Sequence, residues 1–297
     1  MAGAAGQAAQ GRFVSSKVES TQTVRAALFS ATAKLHSLAT ARRDAELLLM
    51  RAVGRDRAWL MTHADAGLTS EQLAHFEDWV ARRARQEPVQ YIVGETEFFG
   101  LMMRVTPAVL IPRPETEHLV EAVLARVGCD AAARICDVGA GSGAIAVALA
   151  HALPLAQVTA VDLSTAALAV AKENAERHGV AERVRLVESD LLSGLRGERF
   201  DVVVSNPPYV AEGEMLEAQV REYEPREALF AGPTGLEVYR RLIPEAREAL
   251  VPEGWLLMEM GHGQREALAE LLTDWDGGEF VADLQGIPRV AIAQRRA

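Results

Sequence analysis

The sequence predicts an α/β protein, a mostly parallel seven-stranded sheet with an antiparallel last strand, preceded by a small helical bundle and a β-hairpin. Three observations predict it. From Arg134 onward, short segments rich in branched residues alternate with longer segments of helical period. Glycines and carboxylates stand just beyond the strand-like segments, where open sheets bind ligands. The last two strand-like segments, "GEFVADL" and "PRVAIAQRR", leave no room between them for a crossover helix, so the sheet should end antiparallel.

The elements follow in order. Residues 1–20, including "MAGAAGQAAQGRFVSSK", lack a continuous apolar run and read as a flexible tail rather than a signal peptide. Residues 21–87 form a helical domain. "TQTVRAALFSATAKLHSLAT" and "ARRDAELLLMRAV" carry apolar residues at helical spacing, and Gly54 can end the second. "TSEQLAHFEDWVARRARQ" opens on a capping-box signal at Thr69 or Ser70, and its pattern buries Leu73, Phe76, Trp79 and Val80 before Pro88 closes it.

Residues 88–110 change period. "VQYIVG" and "EFFGLMMRVT", punctuated by Gly94 and Gly100, predict a hairpin or two short strands linking the domains. In "IPRPETEHLVEAVLARV", Pro114 suits a first helical turn, and Glu115 and Glu117 suit its positive end. Residues 111–297 then carry the sheet. Its strands are "RICDV", "QVTAVD", "RVRLVES", "RFDVVVS" and "GWLLMEM" before the closing pair; its helices are "GAIAVALAHAL", "STAALAVAKENAERHG", "GLEVYRRLIPEAREALV" and "GQREALAELLTDW".

Composition bounds the function. With 297 residues, 49% of them apolar, the chain can bury a large core in about two domains. A net charge of -10 gives no support to a broad nucleic-acid footprint, and "ARRAR" at residues 81–85 reads as a favourable helix terminus. Cys129 and Cys136 lack metal-site spacing and read as two buried, reduced thiols; the seven histidines form no metal grouping, so no metal is expected. No uninterrupted apolar run reaches membrane-spanning length, and a soluble cytoplasmic protein is the expectation.

Two motifs carry chemistry. "DVGAGSGAIAVALA" places Gly139, Gly141 and Gly143 between a strand and a helix, where glycine lets backbone turn tightly and a ligand approach closely. Asp162 ends the next strand, placed to accept ribose hydroxyl hydrogens; otherwise it is a surface or capping aspartate, although Ser164 can cap the following helix instead. Asp190 and Leu191 follow the third strand, where an acid can receive an adenine amino hydrogen and an apolar side chain can cover the ring. A dinucleotide is the competing ligand, but Ala144 stands where its third glycine belongs, so a nucleoside with a short chain fits better. The second motif, Asn206-Pro207-Pro208-Tyr209, follows the fourth strand. The Asn206 side chain and the Pro207 carbonyl can together grip a planar –NH2, and Tyr209 can wall it, which aligns a weakly basic nitrogen with an electrophile. A structural Pro-Pro turn is the plain alternative.

These motifs resemble class I S-adenosylmethionine-dependent methyltransferases acting on amide or exocyclic nitrogens. "RQEPVQYIVGETEFFG", "TPAVLIPRPETEHLV", "DVGAGSGAIAVALA", "SNPPYV", "EPREALFAGPTGLEVYRRLI", "MEMGHGQ" and "GIPRVAIA" stand in the order of the bacterial release-factor glutamine methyltransferases, the protein-(glutamine-N5) methyltransferases of the PrmC/HemK type. The resemblance spans roughly residues 21 to 293. It implies that Gly139, Ala140, Gly141, Ser142 and Gly143 wrap the donor's methionine part, that Asp162 holds its ribose, and that Asp190 and Leu191 border its adenine, with Asn206 also among the donor-binding residues. It implies that Asn206 and Pro207 fix the glutamine of a class I release factor, that Pro208 and Tyr209 shape its slot, and that S-adenosylhomocysteine is the other product. The helical domain and hairpin would contact the release factor. A monomer with no membrane and no stable nucleic-acid partner is expected. Two alternatives share the motif: N6-adenine methylation of DNA or RNA, and glutamine methylation of a ribosomal protein. A binding adaptor with a degenerate pocket is disfavoured by the intact glycines, Asp162 and Asn206. Arg113 and Glu115 read either as a local ion pair at a helix start or as a wall of the substrate mouth, and Glu259 as a support behind the donor pocket or a solvated strand-end acid.

Overall fold

A computed structural model describes residues 22–283 and 285–297; the tail expected at residues 1–20 lies outside the described residues. Residues up to Ala84 belong to one compact unit, and Arg85–Ala297 form a second.

In the first unit, helices α1 (Val24–Lys34), α2 (Ala41–Val53), α3 (Arg57–Thr62) and α4 (Ser70–Ala84) are each started or stopped by a local device. Thr23 accepts the Ala26 amide at the start of α1, and Gly54, at φ 64°, stops α2. At α4 the capping box closes both ways: Thr69 Oγ1 accepts the Gln72 amide at 3.1 Å, and Gln72 Oε1 accepts the Thr69 amide at 3.0 Å. Leu28, Leu48, Leu49, Phe76 and Val80 are buried, whereas Leu73 and Trp79 are only half-buried. The buried stripe of α4 runs Phe76–Val80–Arg83, and Leu73 and Trp79 flank it. Buried Arg83 meets buried Asp44 at 2.7 Å, and Thr40 also donates to that carboxylate.

The second unit begins with a departure from expectation. "VQYIVG" forms a one-turn helix, α5 (Val89–Val93), rather than a strand. Five residues are too few to separate the two periods, and the ends decide: Pro88 precedes the turn and Gly94, at φ 80°, ends it. The Tyr91 hydroxyl donates to the Val109 carbonyl at 2.6 Å, fixing this helix to the segment that leads to the sheet. The hairpin follows as β1 (Glu95–Phe98) and β2 (Leu101–Arg104). Its two turn residues, Phe99 and Gly100, both have positive φ (52° and 73°), as a tight hairpin turn requires.

A single turn, Pro114–Thr116, then runs into α6 (Glu117–Leu124). The remaining elements alternate as expected: β3 (Arg134–Val138), α7 (Ala144–Ala152), β4 (Gln157–Asp162), α8 (Thr165–Arg177), β5 (Val184–Glu188), β6 (Phe200–Ser205), α9 (Ala218–Tyr223), α10 (Glu237–Ala249), β7 (Leu250–Glu259), α11 (Arg265–Leu271), β8 (Asp276–Ala282) and β9 (Pro288–Gln294). Helix α9 was not apparent from sequence, and β7 starts four residues earlier than "GWLLMEM" indicates.

Spatial order is β5-β4-β3-β6-β7-β9-β8. The first five strands are parallel, and β9 is antiparallel to both neighbours. Period-two alternation feeds two cores. Ile135, Val202, Val204 and Leu257 pack with α6 and α7; Cys136, Val203, Leu256 and Met258 pack with α10 and α11. Cys129, expected to be buried like Cys136, is exposed, because it lies in the turn between α6 and β3 rather than on a core-facing strand. Helix α7 is buried all round from Ala144 to Ala150, which accounts for its wholly apolar sequence. No helix among the described residues is long and apolar enough to cross one.

Candidate active site

Sheet register assembles the site. Val138 lies opposite both Val161 and Ser205, so Gly139, Asp162 and Asn206 all emerge at one level beyond three adjacent strands. Strand order reverses at β3, which opens a crevice between β3 and β6. A cavity of about 430 Å³ occupies that edge, lined by Gly139–Ser142, Asp162, Leu163, Asp190, Leu191, Asn206, Pro208, Arg113 and Thr116, among others.

The turn after β3 needs its glycines. Gly139, Gly141 and Gly143 have φ of 74°, 55° and 76°, and a Cβ on Gly143 would stand 2.9 Å from the Ala171 Cβ on α8. Gly143 therefore serves helix packing, behind the cavity lining. Gly139 does face the second motif: a Cβ there would sit 4.0 Å from the Asn206 carbonyl oxygen. The turn is held from β4, where the Val161 carbonyl accepts the amides of Gly139 and Ala140, both at 2.9 Å.

Asp162 tightens the same turn. Its Oδ2 accepts the Gly141 amide and its Oδ1 the Ser164 amide, each at 2.8 Å, so each oxygen keeps a lone pair. Ser164 caps α8 by accepting the Ala167 amide, which leaves Asp162 uncommitted as a helix cap. Leu163 lines the cavity with 66% of its surface exposed, an apolar face awaiting cover, and sequence reasoning had passed over it. Leu191 holds φ 49°, a costly conformation for a leucine, and Asp190 pairs with Arg241 at 2.7 Å. Behind the turn, buried Asp137 accepts the Ala146 amide at 3.0 Å, while its Oδ1 has no hydrogen-bond partner among the described residues. Burial pushes this carboxyl up to about 7, against the pull of the Ala146 amide.

The Asn206–Tyr209 loop is held by side chains from far along the chain. Asn206 Nδ2 donates to Thr116 Oγ1 at 3.1 Å, and Thr116 donates to Glu259 Oε2 at 2.6 Å. The Tyr209 hydroxyl lies 3.5 Å from Glu259 Oε1. Burial pushes the Glu259 carboxyl up to about 7, opposed by the Thr116 hydrogen bond and raised further by the charge of Glu115. Burial also raises the Tyr209 phenol, which stays neutral. Gln264 donates to the Tyr209 carbonyl at 3.0 Å and accepts the Gly261 amide at 2.9 Å, closing the loop's far side. Gly235 and Gly261 make room for it: a Cβ on Gly235 would meet the Tyr209 carbonyl at 2.4 Å, and one on Gly261 would meet the Tyr209 ring at 3.0 Å. Pro207 is buried and, with Tyr209, stands behind the residues that line the cavity.

Arg113 pairs with Glu224 at 2.6 Å rather than with Glu115, and Glu224 also accepts the Ile111 amide at 3.1 Å. Sequence reasoning missed Thr116, Glu224 and Gln264. Thr116 lies within "IPRPETE", but nothing local in that stretch reveals a partner 90 residues on.

Comparison with known proteins meets this geometry. Two family models match, the PrmC N-terminal domain over residues 26–94 and the methyltransferase small domain over residues 115–223. The release factor glutamine methyltransferase of Koribacter versatilis is 46% identical over 257 residues, covering 86% of this chain and 91% of that one. That of Geobacter sulfurreducens is 51% identical over 230 residues, covering 77% and 80%. The chain belongs to the release factor glutamine methyltransferase family. Among solved structures, the T. thermophilus 16S rRNA N2 G1207 methyltransferase in complex with AdoMet and guanosine shares the fold, with a TM-score of 0.51 at 20% identity over 68% of this chain and 50% of that one. Identity over most of both chains thus ties this protein to release factor glutamine methyltransferases, while the likeness to the rRNA enzyme extends to the fold alone.

Proposed function

We propose that this protein transfers the methyl group of S-adenosylmethionine to the side-chain amide nitrogen of the glutamine in the Gly-Gly-Gln motif of class I peptide-chain release factors. One observation carries the reading: register brings Asn206 beside the Gly139 turn on the wall of one cavity, with Pro207 next to it lacking an amide hydrogen.

The residues fit the donor. Gly139 and Gly141 expose bare backbone for its amino-acid chain, Asp162 keeps lone pairs for ribose hydroxyls, and Leu163 and Leu191 offer apolar cover for a base beside Asp190. When bound, the donor supplies a sulfonium methyl electrophile that needs no metal. The rest falls to this chain. Asn206 Nδ2 is committed to Thr116, which turns Oδ1 to the opposite side; Oδ1 and the Pro207 carbonyl accept the two hydrogens of the substrate –NH2. That grip orients the nitrogen lone pair and stabilises positive charge growing on nitrogen. Pro208 lines the slot with Tyr209 backing it, and Gln264 and Glu259 keep Tyr209 in place. The helical unit and the β1–β2 hairpin bind the release factor outside its Gly-Gly-Gln loop, and a monomer suffices because the partner is itself large.

The test is to incubate the protein with labelled S-adenosylmethionine, a purified release factor, ribosomal protein and nucleic acid, and to locate the label by mass spectrometry. Label on the glutamine side chain of the release factor is expected. Label on adenine or on ribosomal protein would overturn the reading.

A further inference from the structure

We infer that Glu259, acting through the Thr116 hydroxyl, decides which way the Asn206 carboxamide points, and so whether an acceptor is presented to the substrate. Glu259 and Thr116 are positioning residues in this account, which rests on the Asn206 grip proposed above.

The Thr116 hydroxyl has one hydrogen to give. It stands 2.6 Å from Glu259 Oε2 and 3.1 Å from the Asn206 amide nitrogen. An ionised Glu259 can only accept, so the hydroxyl hydrogen goes to Oε2 and lone pairs face Asn206. Only the –NH2 of Asn206 can meet those lone pairs, and its Oδ1 is left for the substrate. A protonated Oε2 reverses the chain: it donates to the hydroxyl, the hydroxyl donates to Asn206, and Oδ1 is the end that answers. The –NH2 of Asn206 then confronts the –NH2 of the substrate, donor against donor, and the grip is lost.

The other groups around Glu259 leave the choice to it. Tyr209, a neutral phenol, faces Oε1, and the Tyr239 hydroxyl of α10 is spent on the Glu259 backbone carbonyl at 2.8 Å. Glu115 raises the Glu259 carboxyl and Arg289 of β9 lowers it, but Arg289 is engaged with Asp283 at 2.9 Å. Arg113 is engaged with Glu224. Burial dominates, so the proton leaves at about 7, and the oriented form is present above that pH and lost below it.

The experiment measures kcat against pH for release-factor methylation with both substrates saturating. The variants are Glu259→Gln, Thr116→Val and Thr116→Ser, with S-adenosylhomocysteine affinity followed by calorimetry on each. In the unaltered protein kcat should fall about tenfold per pH unit below about 7, with donor affinity flat. Thr116→Ser should keep that acid limb. Glu259→Gln, which has no proton to gain, should lose the limb at whatever rate it runs, with donor affinity unchanged. Thr116→Val should also lose the limb, with kcat about tenfold or more below the unaltered protein at pH 8. Persistence of the limb in Glu259→Gln would assign it to another group, buried Asp137 being the other carboxyl pushed up to about 7, and would overturn the inference. So would parallel loss of donor affinity in Thr116→Val and Glu259→Gln, the mark of mere structural support. Full activity in Asn206→Ala would instead remove the grip itself, a separate failure.

Discussion

The two halves of the site are built differently. The glycine turn is held from the neighbouring strand, mostly through backbone amides: the Val161 carbonyl takes those of Gly139 and Ala140, and the Asp162 carboxylate takes those of Gly141 and Ser164. The Asn206–Tyr209 loop is held by side chains of Thr116, Glu259 and Gln264, which lie 90, 50 and 55 residues from their partners in the loop. Backbone holds a turn whatever the neighbouring side chains, provided glycine supplies the φ angles. Side chains hold an amide only if each donor finds its acceptor. The first half should therefore fail through strain or lost affinity, and the second through lost turnover.

Four substitutions break or sharpen that contrast. Asn206→Ala should lower kcat by about 10³-fold or more, while calorimetry finds S-adenosylhomocysteine affinity within about threefold of the unaltered protein. Equal loss of both would erase the distinction between the halves. Asp162→Ala should do the reverse, weakening donor affinity by about 10- to 100-fold while kcat at saturating donor changes little. Gly143→Ala should cost about 1–3 kcal/mol in denaturant unfolding, since the added methyl meets Ala171 at 2.9 Å with φ at 76°. A neutral result would mean that α8 yields easily.

Asp137→Asn changes how stability depends on pH, and its sign is fixed. The folded-state carboxyl is raised from 3.8 to about 7, so folding favours the protonated form. The cost of burying the charge is absent below the unfolded value and complete above about 7. The melting temperature of Asp137→Asn should therefore gain on that of the unaltered protein as pH rises from 4 to 8. A constant gap would show that the charge is compensated.

The same contrast explains what the sequence could reveal. Strand alternation, the capping box at Thr69 and Gln72, the glycine turn and the antiparallel ending are written within a few residues, and each was legible. The α5 turn was not, because five residues read alike in either period; it shows itself only in its ends, Pro88 and Gly94, and in the Tyr91 hydroxyl seated on the Val109 carbonyl. Thr116, Glu224 and Gln264 were not legible for a related reason: their meaning lies in partners that the chain brings close only after the sheet has formed. Asn206 was recognisable from its own motif, but what orients it was not.

The central claim is that the Asn206 oxygen receives the substrate amide beside the donor. A crystal structure with S-adenosylhomocysteine and a release factor bound tests it most directly. The account expects the glutamine carboxamide nitrogen within about 3 Å of both Asn206 Oδ1 and the Pro207 carbonyl, its open face toward the donor sulfur. A glutamine held by other groups, or Asn206 Oδ1 turned onto Thr116 at a pH where Glu259 is ionised, would contradict it.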